Sequence, residues 1–151
     1  VGGHCIAVDP WFLVSLNEKL SQLIKTAREV NDSKTNWVIK KILAHIDSFT
    51  KEFGRWPKVA LLGVTYKPDS DDLRESPALK IAKEIDAIYE KTVVIEPNSI
   101  TPQSLKILPS LDIDNEVDIL VTLVKHSQFQ DKIFKAKIKA HTILDVCGLL
   151  S

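Results

Sequence analysis

Methionine is absent from the 151 residues of this chain, glycine occurs only five times and cysteine only twice. Without methionine the chain has no initiator residue of its own, so we expect it to be the C-terminal part of a longer protein. The glycines, at positions 2, 3, 54, 63 and 148, cannot spell G-x-G-x-x-G, which excludes a self-contained dinucleotide-binding fingerprint within these residues. Two cysteines do not make a disulfide scaffold, and a reducing cytoplasm fits them best.

Charge of one sign is not in excess, because 20 basic residues balance 20 acidic ones. A neutral chain argues against a nucleic-acid partner, which would demand a basic surplus. The sequence has no apolar run long enough to span a membrane and no basic segment followed by an apolar one that would act as a signal peptide. With 44% hydrophobic and 26% charged residues, the composition predicts a packed globular fold.

The first half of the chain predicts helix, because apolar residues recur there at spacings of three and four. One such face consists of Leu20, Leu23, Ile24, Ala27 and Val30, and a second runs from Val38 to Phe53. The polar stretch 31–33 between them predicts a kink or a cap, which leaves open one long helix or two. A helical region this long before any strand has too little sequence around it to bury its apolar face. We therefore expect that face to pack on further sequence or on a second subunit.

The second half alternates strand and helix after a junction at Gly54–Pro57, which is typical of a Rossmann-like parallel α/β sheet. Apolar runs predict strands over residues 59–64, 92–95, 117–124 and 142–146. Helices are expected over 127–138 and after each of two Ser-Pro or Thr-Pro pairs, at residues 76–77 and 101–102. We therefore divide the chain into a helical segment, 1–54, and a sheet domain, 55–151.

The opening segment G-G-H-C-I-A-V-D-P places Cys5 four residues before Asp9. If Asp9 lies in the first turn of a helix, Cys5 stands just before that helix, where thiols have lowered pKa values. A thiolate beside a carboxylate is a workable covalent catalyst. A buried, inert cysteine explains the same residues equally well.

A charged stretch from Tyr66 to Pro77 follows the first strand and opens a helix. Ligands of open α/β sheets bind at the carboxyl ends of strands, and helix N-termini attract anions. Lys67 and Arg74 would supply two cations there. By charge pattern alone, a solvated loop in which these cations pair with nearby acidic residues is the favoured interpretation. We predict no metal site, because the histidines and cysteines of the chain lack the spacing of metal ligands.

Three segments together resemble the UDP-glucose/GDP-mannose dehydrogenase family. They are G-G-H-C-I-A-V-D-P at the start, T-A-R-E-V-N-D at 26–32, and Y-K-x-x-x-x-D-x-R-E-S-P at 66–77. The first is similar to the form found in the branch that acts on N-acetylamino sugars. The resemblance implies UDP-N-acetyl-D-mannosamine as substrate, with UDP-N-acetylglucosamine as the alternative. UDP-glucose is disfavoured, because that branch commonly has a lysine where this chain has Val8.

The resemblance implies oxidation of a sugar C6 alcohol to a carboxylate with two NAD, through a thiohemiacetal and a thioester on Cys5. Asp9 would assist base chemistry or orient water, and Arg74 would reach the NAD. The 55–151 domain would bind UDP, and the helical segment would form a homodimer.

Substrate contacts are implied for Gly2, Tyr66 and Lys67, and for position 147, where the family usually has a basic residue and this chain has Cys147. Because the family's NAD domain and catalytic lysine are expected upstream of Val1, we predict that this chain alone has no dehydrogenase activity. The alternative from another class is a non-catalytic module that binds a UDP-sugar and dimerises.

Overall fold

Two helices precede a parallel sheet in the structure of this chain, a computed structural model that describes residues 4–98, 105, 107–108, 117–130 and 142–150. The helices are α1 (His4–Leu16), α2 (Gln22–Phe53) and, within the sheet domain, α3 (Pro77–Ile88). The strands are β1 (Val59–Leu62), β2 (Thr92–Ile95), β3 (Ile107–Leu108), β4 (Ile119–Thr122) and β5 (Thr142–Asp145).

The helix α2 runs unbroken for 32 residues, which settles the choice between one helix and two that the sequence left open. The polar stretch at 31–33 stays helical because its side chains bond within the helix. Arg28 pairs with Asp32 one turn later at 2.7 Å, and the hydroxyl of Ser33 donates to the Val30 carbonyl. The helix ends at Gly54, whose φ of +66° turns the chain while its N–H bonds to the Thr50 carbonyl.

The two halves of α2 have different surroundings. From Val38 onward its apolar face packs on the sheet and α3, and Ile42 is fully buried. The first half packs partly on α1, where the Ser21 hydroxyl donates to the Leu13 carbonyl at 3.0 Å. Its remaining apolar side chains are exposed, and Leu23 keeps 82% of its surface accessible. This surface fits the expectation that the segment packs on something further.

The five strands form one parallel sheet in the order β3-β2-β1-β4-β5. The strand β1 lies at the centre, with Ala60 opposite Val93 of β2 on one side and opposite Leu120 of β4 on the other. The predicted α/β class and parallel sheet are confirmed. Four strands were predicted at the right places, each ending slightly earlier than expected except β2, whereas the two-residue β3 was not predicted.

Both faces of the sheet are buried at its central strands β1 and β4, as expected for a parallel sheet in an α/β fold. Val59 and Leu61 face α2 and α3, whereas Ala60 and Leu62 face a second cluster that includes Phe129 and Leu149. The helix predicted over 127–138 is described only as a 3₁₀ turn, Ser127–Gln130, and its remainder lies outside the described residues, as does the helix expected at 101–102. In the described ranges, no helix has the length and apolarity needed to cross a membrane.

Candidate functional site

The helix α1 carries both predicted catalytic residues on its exposed surface. The helix begins at His4, so Cys5 lies within its first turn and not before it, and Asp9 follows one turn later. Both side chains are exposed, and the Cys5 thiol is free, which argues against the inert buried cysteine that the sequence left open. The predicted substrate contact Gly2 lies outside the described residues.

The segment from Thr65 to Ser76, here called the motif loop, joins β1 to α3 and carries Tyr66, Lys67 and Arg74. The N–H of Tyr66 donates to the Asp72 carbonyl at 2.7 Å, which closes the first part of the loop. Tyr66 is half-buried and Lys67 is exposed. Two non-glycine residues of the loop have positive φ, Asp69 at 55° and Glu75 at 53°, a conformation that costs energy and is held by surrounding contacts.

Arg74 is bound to Asp72 within the motif loop. Its Nε and Nη2 lie 3.0 Å and 2.7 Å from the two Asp72 carboxylate oxygens, and its own N–H donates to the same carboxylate. The hydrogen bond from Arg74 to Asp72, and then the Asp72 charge, raise the pKa of Arg74, and Cys5 adds a smaller contribution in the same direction. The ion pair expected of a solvated loop is therefore present.

A cavity of about 690 Å³ separates α1 from the motif loop. Val8 and Trp11 of α1 line one side, and Leu73, Glu75 and Ser76 line the other. The two segments that the sequence singled out thus face one open space, next to the carboxyl edge of the sheet.

The motif loop ends in a cap that ties helix α3 to strand β1. Ser76 accepts a hydrogen bond from the Leu79 N–H at 3.1 Å, and its hydroxyl donates to the Val64 carbonyl at 2.8 Å. Pro77 occupies the first helical position, where its missing N–H is not needed. The predicted helix start is therefore confirmed.

The turn after β5 holds Cys147 half-buried. Its thiol lies 4.0 Å from the Asp145 carboxylate, and burial, followed by the Asp145 charge, raises the pKa of Cys147 despite a hydrogen bond with Thr122. Position 147 therefore offers a neutral thiol and no cation. The ammonium group of Lys125 reaches this turn, since its Nζ donates to the Gly148 carbonyl at 2.8 Å.

A buried polar cluster lies at the carboxyl ends of the three central strands, and sequence reasoning missed it. The cluster, here called the histidine cluster, consists of Thr65 after β1, Glu96 and Asn98 after β2, and His126 after β4. Glu96 and His126 are fully buried, with Oε2 3.3 Å from Nε2. Each follows an apolar strand, so the rule applied to the first strand would have found both.

Glu96 stays ionised in this cluster because donors surround it. Its Oε2 accepts from the Val64 N–H at 2.8 Å, and its Oε1 accepts from the Asn98 N–H at 3.0 Å. Burial alone raises the pKa of Glu96, but the hydrogen bonds from His126 and from these two N–H groups outweigh burial and hold the pKa below its usual range.

Comparison with known proteins agrees with this arrangement. Residues 60–151 match the model of the UDP binding domain of the UDP-glucose/GDP-mannose dehydrogenase family. The chain is similar to a UDP-N-acetyl-D-mannosamine dehydrogenase from Yersinia pestis, 44% identical over 99% of this chain and 37% of the relative. It is 46% identical, over 86% of this chain and 33% of the relative, to the protein of the same name from Escherichia coli K12.

A solved structure, of UDP-N-acetyl-mannosamine dehydrogenase from S. aureus, matches with a TM-score of 0.76 and 28% identity, over 99% of this chain and 35% of that one. The chain thus spans about a third of the length of the relatives that it matches. Since the family model matches residues 60–151, which is more than half of the chain, and the structural match covers 99% of the chain, the chain belongs to the UDP-glucose/GDP-mannose dehydrogenase family.

Proposed function

We propose that this chain carries the catalytic-cysteine and UDP-sugar-binding parts of an NAD-dependent UDP-N-acetyl-D-mannosamine 6-dehydrogenase. The observation that carries the proposal is the cavity shared by α1 and the motif loop. Val8 and Trp11 of α1 line it together with Leu73 and Ser76 of the motif loop. The names of the relatives at 44% and 46% identity support this choice of activity.

Substrate binding falls to the motif loop and to the turn after β5. Lys67 is an exposed cation suited to a diphosphate, and the half-buried ring of Tyr66 is suited to packing against a sugar or base. Gly2 would let the backbone come close to the sugar. At position 147 the thiol replaces the family's cation, and Lys125 supplies a positive charge at that turn.

Cys5 is the proposed nucleophile. Its sulfur adds to the carbonyl carbon of the C6 aldehyde, so that a carbon–sulfur bond forms while the carbonyl π bond breaks, and the thiol proton ends on the oxygen of the thiohemiacetal. Asp9, one turn along the same exposed helix face, is the proposed residue for handling protons or orienting water at this centre.

NAD, the hydride acceptor of the family reaction, does not fit a self-contained site among the described residues. An open α/β sheet holds a dinucleotide pyrophosphate on a glycine-rich turn after its first strand. Here the segment from Gly63 to Ser76 contains one glycine where the dinucleotide-binding turn needs several, and the Leu79 N–H in the first turn of α3 is already bonded to Ser76. Arg74, exposed in the motif loop, is proposed to contact an NAD held elsewhere. The residues of this chain would then bind the UDP-sugar and form the covalent bond to its C6 aldehyde.

We further propose a homodimer through α1 and the first half of α2. Leu16, Leu20 and Leu23 each expose more than 80% of their surface there, which is unusual for side chains of this size. In light scattering, Leu23→Glu should give a smaller mass than wild type, whereas Ile88→Glu, at an equally apolar but separate exposed position on α3, should not. A monomeric wild-type chain would refute the dimer.

Calorimetry with UDP and with UDP-N-acetyl-D-mannosamine tests the binding role. Lys67→Ala should weaken binding about tenfold, the value of one charge-assisted hydrogen bond. The matched control is Lys40→Ala, which removes an exposed lysine of α2 and should leave the affinity unchanged. Equal affinities for all three proteins would overturn the assignment of Lys67, and tighter binding of UDP-N-acetylglucosamine would favour the alternative substrate.

Capture of the C6 aldehyde separates an enzyme part from a non-catalytic module. The UDP-sugar aldehyde should protect Cys5 from iodoacetamide, whereas UDP, which lacks the aldehyde, should leave Cys5 reactive, and Cys5→Ser should still bind UDP. Absence of protection would favour the non-catalytic module that binds and dimerises. The 151-residue chain alone should not reduce NAD with a UDP-sugar, and detectable reduction would contradict our account of the NAD site.

A further inference from the structure

His126 is a fully buried histidine for which the proposed function has no role. It lies directly beneath the motif loop, and both of its ring nitrogens have partners on that loop. The ring is further held by Phe129, which packs edge-on against it with ring centroids 5.3 Å apart. The surroundings of the two nitrogens determine where the imidazole proton resides.

The Nδ1 atom of His126 must be unprotonated. The backbone N–H of Asp69 points to it at 3.0 Å, and a backbone N–H can only donate. The side-chain amide nitrogen of Asn98 lies 3.2 Å from the same atom and also donates to the Ser70 carbonyl. Two donors converge on Nδ1, and the Asp69 carboxylate oxygen, at 3.8 Å, lies beyond hydrogen-bond distance, so this nitrogen is an acceptor.

The Nε2 atom must carry the proton. Thr65 Oγ1 lies 3.2 Å away, but the single proton of that hydroxyl is donated to the Lys67 carbonyl at 3.0 Å. The hydroxyl oxygen therefore accepts from Nε2–H, as does the Glu96 carboxylate at 3.3 Å. The hydrogen-bond partners of Nδ1 and of Nε2 both indicate the neutral imidazole with its proton on Nε2.

The partners of His126 flank the residues proposed to bind substrate. Thr65 directly precedes Tyr66 and Lys67, and Asp69 follows them after one residue. Asp69 has a φ of 55°, and its carboxylate accepts from the N–H and hydroxyl of Ser127 at 2.9 and 3.0 Å. The histidine thus holds both ends of a five-residue segment, one end through each ring nitrogen.

We propose that His126, in its neutral Nε2–H form, is a positioning residue that fixes the segment from Thr65 to Asp69 and so places Tyr66 and Lys67 for UDP-sugar binding. The role rests on the proposed function, because it assigns His126 to the same site. Glu96 supports this role, because its carboxylate accepts a hydrogen bond from Nε2–H and also accepts from the backbone N–H groups of Val64 and Asn98, which follow β1 and β2. His126 acts through other residues and needs no contact with the substrate.

Nuclear magnetic resonance of the chain with ¹⁵N-labelled histidine tests the proton's position directly. The chain has four histidines, and the His126 signals are identified by their loss in His126→Asn. We expect Nδ1 at the shift of an unprotonated ring nitrogen and a proton coupled to Nε2. A proton on Nδ1, or on both nitrogens at neutral pH, would overturn the proposal.

UDP affinity by calorimetry tests the consequence. His126→Leu should weaken binding about tenfold or more, because both ends of the segment lose a hydrogen bond. His126→Asn, which keeps an acceptor near the place of Nδ1, should restore most of the affinity. Phe129→Leu is the control, since it removes packing beside the ring but leaves both nitrogens their partners, and it should bind UDP as wild type does.

The outcomes separate the two proposals. Wild-type affinity in His126→Leu, or an equal loss in Phe129→Leu, would overturn the positioning role and leave the proposed function standing. A wild-type chain that does not bind UDP would overturn the proposed UDP-sugar site, and the positioning role with it.

Discussion

Two glycines with positive φ offer a matched test of how closely β1 approaches the segment after β4. Gly54, with a φ of +66°, ends α2 and has no atom within 4 Å of where a Cβ would stand. Gly63, with a φ of +81°, follows β1, and a Cβ there would lie 2.5 Å from the Cβ of Val124 and 3.2 Å from the ring of His126. Alanine at either position suffers the backbone strain, but only Gly63→Ala also suffers the collision.

The magnitudes separate the two variants. A left-handed conformation costs a non-glycine residue about 1–2 kcal/mol, of which about 0.4–1 kcal/mol is recovered because alanine restricts the unfolded chain. Gly54→Ala should therefore lower the free energy of unfolding by about 1 kcal/mol. Gly63→Ala adds overpacking of about 1–3 kcal/mol, for a total of about 2–4 kcal/mol.

Urea unfolding followed by circular dichroism measures both values. At this chain length the extra loss in Gly63→Ala corresponds to a fall in Tm of about 2–4 °C per kcal/mol relative to Gly54→Ala. UDP affinity should fall as well, because the collision displaces the residues around His126. A Gly63→Ala variant no less stable than Gly54→Ala would refute the close approach.

Three further predictions concern single side chains. Ser76→Ala removes the cap of α3 and the hydroxyl bonded to Val64, so the free energy of unfolding should fall by about 1–2 kcal/mol in urea titration; an unchanged value would contradict the cap. Because the pKa of Glu96 is held below its usual range, its carboxylate stabilises the fold above the unfolded-state pKa of about 4.3, and this contribution disappears as pH falls through the folded-state value. Thermal unfolding of Glu96→Gln should lack that part of the acid decline seen in wild type, and identical pH profiles would contradict the assignment. Under iodoacetamide at neutral pH, exposed Cys5 should be alkylated before Cys147, whose pKa is raised by burial; peptide mass spectrometry showing the reverse order would contradict this.

Local signals explain what the sequence predicted well. The Ser76–Pro77 pair marks a helix start by its own chemistry, and the run from Thr92 to Ile95 is apolar enough to stand as a buried strand. The strand β3 has only two residues, too few for any periodicity, and its existence depends on pairing with β2. Continuity of α2 through residues 31–33 likewise depends on side-chain bonds that composition does not reveal.

The candidate site divides in the same way. Cys5 and the residues of the motif loop stand in contiguous, recognisable segments, so the sequence alone singled them out. The histidine cluster has no such segment, since Glu96 bonds to a residue 32 positions away and His126 to one 61 positions away. Only the strand order β2-β1-β4 brings them together, and that order was not predicted.

This dependence on distant strands means that the motif loop cannot be transplanted as a sequence. A peptide of residues 65–77 would keep the contacts made within it, between Tyr66 and Asp72 and between Arg74 and Asp72. It would lose the contacts to Asn98 and His126, which hold the backbone around Lys67. The motif therefore adopts its binding conformation only in a chain that also provides three adjacent strands. Segments that match the motif in sequence, but lie in chains without those strands, will not form the binding site.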